Sequence, residues 1–430
     1  VVLTGAGPRA HSTPHWTLRI VVVTALVGVA GGVAGISVWV ALHLIQVVAF
    51  GFPFHTGDEA ADEPDALHRF LAVFAAGLLA GVAWWALRRW GRPVVAVQGA
   101  VDGRHMPSLV TVANAGIQIV IVGLGASIGK EVAPREIGAW LSQQITDRAG
   151  LTRRETRILV ACGAAAGLAA VYDVPLGGAL FAVEVLLGEI TFATALPAFA
   201  TSAIAALVAR AVVPVETLYT VPTLTLSPSL VVWAVLVGPV LGFAGIGFVR
   251  LTNRLQTARS RGWRVMVVMP VVFAGVGAVA IWFPQVLGNG RALGQAAFGT
   301  HLHDAAVLGL APVLLVGVLS LAKTATTTAT IGAGAAGGTL TPSIAIGATA
   351  GAFLGGAWLL VWPGSGLAAF AFIGAAAFLA TTMRAPFTAL VLVVEFTGQG
   401  PTILIPALLA VGGAVAVGYV LGRRRLVGVA

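Results

Sequence analysis

Nine apolar runs, around residues 18–50, 70–87, 108–128, 191–214, 229–249, 265–284, 305–322, 366–382 and 402–421, dominate this chain. Each is near or above the roughly 20 residues that a membrane-spanning helix needs. The 430 residues are 58% hydrophobic and only 10% charged, with a mean hydropathy of +0.96. Such a chain lies outside the range of soluble domains and reads as an all-α, polytopic membrane protein forming one transmembrane domain over residues 1–430. A β-barrel is excluded, because barrel strands alternate over about ten residues instead of running apolar throughout. Segments 131–145, 174–187, 340–357 and 385–396 are too short to span and predict broken helices. Such helices survive at membrane depth only when buried in protein or lining a wet cavity. The 55 glycines suit close helix packing in lipid.

The net charge of +9 does not point to nucleic acid, because the arginines fall in short clusters between apolar runs. Under the positive-inside rule Arg9, Arg19, Arg88, Arg89, Arg92, the runs 147–157 and 250–264, and Arg423 to Arg425 are cytoplasmic. The acidic stretch 57–65 is then external, and the N-terminus is cytoplasmic. No cleavage site precedes the first run, so it is expected to stay as a signal anchor in the cell membrane. Cys162 is the single cysteine and reads as a buried, inert thiol.

Two gapless self-matches reveal a duplication. GASIGKEVAPREIGA (125–139) lies over GAAGGTLTPSIAIGA (334–348), and GAAAGLAAVYDVPLGGALFAVE (163–184) over GAAAFLATTMRAPFTALVLVVE (374–395), at nearly one offset. The first helix of the first repeat (18–213) begins basic and ends in the acidic loop. Its partner in the second repeat (228–422) begins after a stretch free of lysine and arginine and ends in arginines. The repeats are therefore expected to be inverted, with a substrate site between them near mid-membrane.

Within 125–139 stand Lys130, Glu131, Arg135 and Glu136. An ionisable group at mid-membrane costs about 2.5–3.5 kcal/mol on insertion scales, so such groups by default face a cavity or pathway. Gly125 and Gly129 predict a turn opening a helix whose first N–H groups attract anions.

Taken in order, GKE after small residues, the GGTLTP turn one repeat later, GAAAGLAAVYDVPLGGALFAVE and RAPFTALVLVVEFTG resemble the CLC family of chloride channels and proton-coupled chloride exchangers. The resemblance spans about residues 18–422. It implies a homodimer with one pore per subunit, passing chloride or a similar small anion and, in the exchanger branch, protons.

The resemblance makes Gly129, Lys130, Glu131 and Val132 the gate turn, with Glu131 the gating carboxylate. Physically, a carboxylate tethered beside anion-binding amides occupies the anion's place, and protonation releases it. The alternative is a structural partner for Lys130 or Arg135. The family turn has Gly-Pro where Val132, Ala133 and Pro134 stand here. Gly338, Thr339, Leu340 and Thr341, followed by Pro342, resemble the second anion-binding turn, and also read as an ordinary helix start. Arg92 aligns with the serine that touches the family's central anion. It is expected instead to belong to the arginine cluster and to face the cytoplasmic vestibule. The pore tyrosine aligns with Val427, leaving Tyr419 as a substitute.

Glu184 precedes Val185, where family exchangers carry a second, proton-handling glutamate. Glu184 and Glu395 occupy equivalent repeat positions, which predicts a structural role at a neighbouring helix end.

GLGASIGKE lacks the spacing of a nucleotide-binding loop, and no hydrolytic triad or redox motif is present. No enzyme activity and no cofactor is expected. His301, His303 and Asp304 read as solvated loop residues, not metal ligands. The run ends without a C-terminal regulatory domain, so nucleotide control of that kind is not expected. Open alternatives are a fluoride- or nitrate-selective relative, a cation-coupled solute symporter and a membrane scaffold without transport.

Overall fold

The structure, a computed structural model, describes residues 18–51, 65–299 and 312–427, with side chains as far as residue 421. The acidic loop 57–64, Arg9, the His301–His303–Asp304 group and the side chains of Arg423 to Arg425 and Val427 lie outside what is described. The described residues are helical and contain no strand beyond one isolated bridge.

The first half contains α1 (Leu18–Phe50), α2 (Ala66–Trp90), the short α3 (Val97–Val101), α4 (Ser108–Gly123), α5 (Val132–Ala149), α6 (Arg153–Tyr172), α7 (Pro175–Leu180) and α8 (Phe192–Ala209). A wider π turn, Phe181–Leu187, continues α7. The second half contains α9 (Pro228–Thr257), α10 (Val265–Trp282), α11 (Arg291–Phe298), α12 (Pro312–Gly332), α13 (Leu340–Leu359), α14 (Leu367–Met383), α15 (Pro386–Thr397) and α16 (Leu404–Val427).

Among the described residues nine helices are long and apolar enough to cross a membrane, and α6 and α13 are two of them. This corrects the run-by-run reading. The run at 153–172 escaped notice because α6 opens in Arg153, Arg154 and Glu155, which also supply its capping box: Thr152 accepts from Glu155 N while Glu155 accepts from Thr152 N. The segment at 340–357 read as a fragment but forms a full 20-residue helix. Conversely α4 and α14 are shorter than spanning length, at 16 and 17 residues.

Burial explains the layering. From Ile158 to Tyr172 every residue of α6 is buried, as is every residue of α14 from Ala368 to Thr381. Both are Ala-rich and apolar all round, the pattern of a helix enclosed by others. Around them α1, α2, α8, α9, α10 and α16 bury small residues inward and expose Leu, Val and Phe outward, as lipid-facing helices do.

The two halves pack alike. α5 crosses α6 where a Cβ on Gly138 would meet Gly163 O, and α13 crosses α14 where a Cβ on Gly347 would meet Gly374 O. α6 ends in Asp173 and α14 in Arg384, both at φ 55°, and each is followed two residues later by a proline opening α7 or α15. Left-handed backbone at a non-glycine residue is uncommon and strained, so its recurrence one repeat apart marks a shared geometry. α2 packs on α10 and α7 on α15, each on its own counterpart.

Candidate functional site

Each half sends one loop to the site. The chain leaves α4 at Leu124, turns at Gly125 (φ +95°) and enters α5 after Glu131. Its counterpart leaves α12, turns at Gly334 (φ +106°) and enters α13 after Thr339. The loops join in an antiparallel bridge in which Gly129 N donates to Gly338 O (2.8 Å) and Gly338 N to Gly129 O (2.9 Å). Residues that exchange both bonds across such a pair are related by a local two-fold axis.

The Glu131 side chain is fully buried in the slot beside this bridge. Its Oε1 accepts from Leu340 N at 2.6 Å, and its Oε2 from Thr341 Oγ1 at 3.2 Å and Tyr172 OH at 3.5 Å. A Cβ on either Gly129 or Gly338 would collide with that carboxylate. The two glycines are needed for space, and their N–H groups bond each other's carbonyl oxygens. Neither α5 nor α13 has a side-chain cap from its own N-cap residue. The carboxylate of one repeat thus stands at the uncapped, positive start of the other repeat's helix.

The alternative for Glu131, a salt bridge to a neighbour, is not what forms. The ion pairs among the described residues are His105–Asp147 and Arg210–Asp173. Arg135 instead donates through Nε to the backbone O of Glu131 (2.7 Å) and lies over the Phe181 ring. Lys130 is 6% exposed, its ammonium 5.0 Å from the centre of the Tyr172 ring. It lines a pocket of about 200 Å³ together with Trp39, His43, Asp173, Glu216 and Arg291. Val132 is half-buried at the first turn of α5, and Thr339 is the N-cap of α13.

Of the remaining candidates, Arg92 is exposed in the connection from α2 to α3 and makes no described bond to this slot. Tyr419 is 61% exposed on α16. The tyrosine at the carboxylate is Tyr172 from α6, which also packs edge-on against Phe396 of α15. Its equivalent one repeat later is Met383 at the end of α14, so the repeat gives no aromatic signal for Tyr172.

A second unforeseen residue is Lys323 on α12, fully buried. Its ammonium donates to Val286 O (2.7 Å), Gly288 O (2.8 Å) and Ser127 Oγ (3.0 Å), and Ser127 in turn bonds Thr326 and Thr327. All three donors are used, and the loop ahead of Glu131 is pinned to α12. On the opposite loop Arg88 of α2 does similar work, donating to Gly334 O at 2.8 Å. An isolated lysine in an apolar run was a signal for Lys323 by the same cost argument that singled out 125–139.

Glu184 and Glu395 bear out their expected role at helix ends. Glu184 accepts from Phe387 N (3.2 Å), Thr388 N (2.7 Å) and Thr388 Oγ1 (2.6 Å) at the start of α15. Glu395 accepts from Leu176 N (2.9 Å) and Gly177 N (2.7 Å) at the start of α7.

Comparison with known proteins bears on this geometry. The family model described as voltage gated chloride channel matches residues 76–419. The chain belongs to this family, the CLC proteins. It is a membrane transport protein and not an enzyme. Among its CLC relatives, a putative chloride channel protein ClcB-like of Ralstonia nicotianae is 30% identical over 363 residues, covering 80% of each chain. An H(+)/Cl(-) exchange transporter ClcA of Cronobacter sakazakii is 29% identical, covering 95% of this chain and 88% of its own. In fold, the crystal structure of a slow cyanobacterial Cl-/H+ antiporter matches with a TM-score of 0.79 at 20% identity, covering 94% of this chain and 95% of that one.

Proposed function

We propose that this CLC protein moves chloride through a pore formed between its two repeats, 18–213 and 228–422, and that Glu131 is the gate. The observation that carries the proposal is the carboxylate of Glu131 on Leu340 N and Thr341 Oγ1, in the position an anion would take. An ionised Glu131 competes with chloride for those donors and for the Tyr172 hydroxyl. Protonation removes the competing charge, the side chain withdraws, and the start of α13 receives the anion. Lys130, buried and without an ion-pair partner among the described residues, holds positive potential at the approach to the gate. The named activities of the ClcB-like and ClcA relatives support chloride as the anion.

The repeats are inverted in this reading, supported by the two-fold bridge at Gly129 and Gly338 and the reciprocal glutamates. The basic clusters support a cytoplasmic N-terminus. The protein acts as a homodimer whose contact includes α7 and α15. These helices pack on each other and expose Leu176 and Phe387, equivalent residues just after their prolines.

Reconstituted protein tests the gate. Glu131→Gln imitates the protonated carboxylate at nearly constant volume, so chloride efflux from liposomes should persist or rise. Wild-type efflux should increase as external pH falls, and the variant's should not. Equal pH dependence in both proteins would make Glu131 a structural residue only.

A further inference from the structure

A second buried carboxylate of the same helix is left unused by this gate. Glu136 is 5% exposed and makes no ion pair among the described residues. Its oxygens accept from Asn114 Nδ2 (2.9 and 3.2 Å) and Gln118 Nε2 (2.9 Å), both on α4, and Asn114 accepts from Trp84 Nε1 on α2 (3.0 Å). Gln118 is 1% exposed, and its Oε1 has no partner among the described residues. A buried amide oxygen without a donor carries a cost, and here it sits on the side chain that already holds the carboxylate.

The polar contacts do not stop there. α4 and α5 run antiparallel from the gate loop, and their shared face stays polar along its length. Beyond Glu136, Trp140 Nε1 donates to Ser108 Oγ (3.1 Å), Gln143 Nε2 donates to Arg104 O (2.8 Å), and Gln143 Oε1 accepts from Met106 N (3.0 Å). The seam ends at His105 and Asp147, 3.1 Å apart and well exposed. At its other end is Glu131, five residues or about 7.5 Å of helix rise from Glu136. The charged and histidine groups on the elements meeting here are Glu131 at the N-cap of α5, Arg135, Asp147 and Arg148 on α5, His68, Arg69, Arg88 and Arg89 on α2, Arg19 and His43 on α1, and the cluster Arg153, Arg154, Glu155 and Arg157 at the start of α6. α4 contributes none. Arg135 and Arg88 are committed to the backbone oxygens of Glu131 and Gly334.

We propose that Glu136 is a proton-carrying site, the intermediate station between Glu131 and the solvent-exposed end of the α4–α5 seam. The inference rests on Glu131 being the gate. Ionised Glu136 is satisfied by two amide donors. The two carboxyls are too far apart to exchange a proton directly, so water carries it: an O–H bond on Glu131 breaks as one forms on a water molecule, and another O–H bond of the water breaks as one on Glu136 forms. A half-turn of the Gln118 amide then presents Oε1 to the new O–H. The O–H bond of Glu136 next breaks as one forms on water, which passes the proton on to His105 or Asp147 at the exposed end, with nothing oxidised or reduced. The unpartnered Oε1 is the acceptor that the protonated state needs, so both charge states are hydrogen-bonded without repacking.

Full-length protein in liposomes under a chloride gradient, with chloride efflux and external proton uptake recorded together, provides the test. Wild type should drive protons uphill. Glu136→Gln should keep chloride efflux while coupled proton uptake falls about a hundredfold, the low end of what a positioned proton-transfer group contributes. Unchanged proton uptake in that variant overturns the proposal. Wild type that moves chloride without uphill protons also overturns it but leaves the gate reading standing, whereas no wild-type chloride flux removes the gate reading itself. If Glu136→Gln is not recovered folded, Gln118→Met keeps the carboxylate and removes its acceptor. Proton uptake about tenfold slower at unchanged chloride efflux, equivalent to 1.4 kcal/mol, supports the station. Uptake equal to wild type overturns it.

Discussion

At the scale of single residues, the slot that holds the Glu131 carboxylate depends on two missing side chains as much as on the carboxylate present. Glu131 fits its slot because Gly129 and Gly338 leave space against each other and against its oxygens. A methyl group at 338 must displace either the bridge or the carboxylate. Gly338→Ala should therefore lower stability by about 1–3 kcal/mol, the usual cost of overpacking. It should also make chloride efflux less dependent on external pH. Combined with Glu131→Gln its effect on flux should be less than additive, since both changes free the same donors. Thermal unfolding in detergent and efflux at two external pH values measure this, and a wild-type pH profile for Gly338→Ala would contradict it. The charges at 130, 131, 135 and 136 were legible from sequence as groups that need a polar setting inside an apolar chain. That Lys130 would rest on Tyr172, and Arg135 on the Phe181 ring, was not, because both partners depend on how α5 meets α6 and the segment after α7.

At the scale of elements, α7 and α15 show how a broken helix is sustained in a membrane. Each starts at a proline after a left-handed residue and leaves its first N–H groups without an intrahelical acceptor. Glu395 answers for α7 and Glu184 for α15, so each of these helices is capped from the other repeat. Replacing either by Gln keeps the shape but removes the charge from bonds worth about 1.5–3 kcal/mol each. Glu184→Gln, which weakens three bonds including that from the Thr388 hydroxyl where Glu395→Gln weakens two, should lower the unfolding temperature more than Glu395→Gln, with anion preference unchanged in both. A reversed order, or a change in preference without loss of stability, would count against a structural role. The equivalent positions of these glutamates were visible in the repeat. The length of α6 was not, because charged first-turn residues that serve as a cap interrupt a hydropathy run.

At the scale of the whole molecule, the arrangement implies sidedness. Glu216 and Asp173 line the pocket outside the gate, while Arg148 to Arg157 gather at the far ends of α5 and α6. Cys162 is fully buried, so single cysteines can be introduced into the otherwise native chain. A membrane-impermeant thiol reagent applied to intact cells should label Glu216→Cys directly and Arg154→Cys only after permeabilisation. The opposite result would place the N-terminus outside.

By itself the sequence determined the class of solvent, the helical content, the duplication, the family and the stretch where charge enters the membrane. These follow from composition, periodicity and short contiguous motifs, which act locally along the chain. Only the tertiary structure decided that Glu131 lies on Leu340 and Thr341, that Tyr172 and not Tyr419 is the hydroxyl at the gate, and that Lys323 and Glu136 are buried beside it. Those contacts join residues far apart in sequence through helices whose small faces pack at a rotation that hydropathy does not encode.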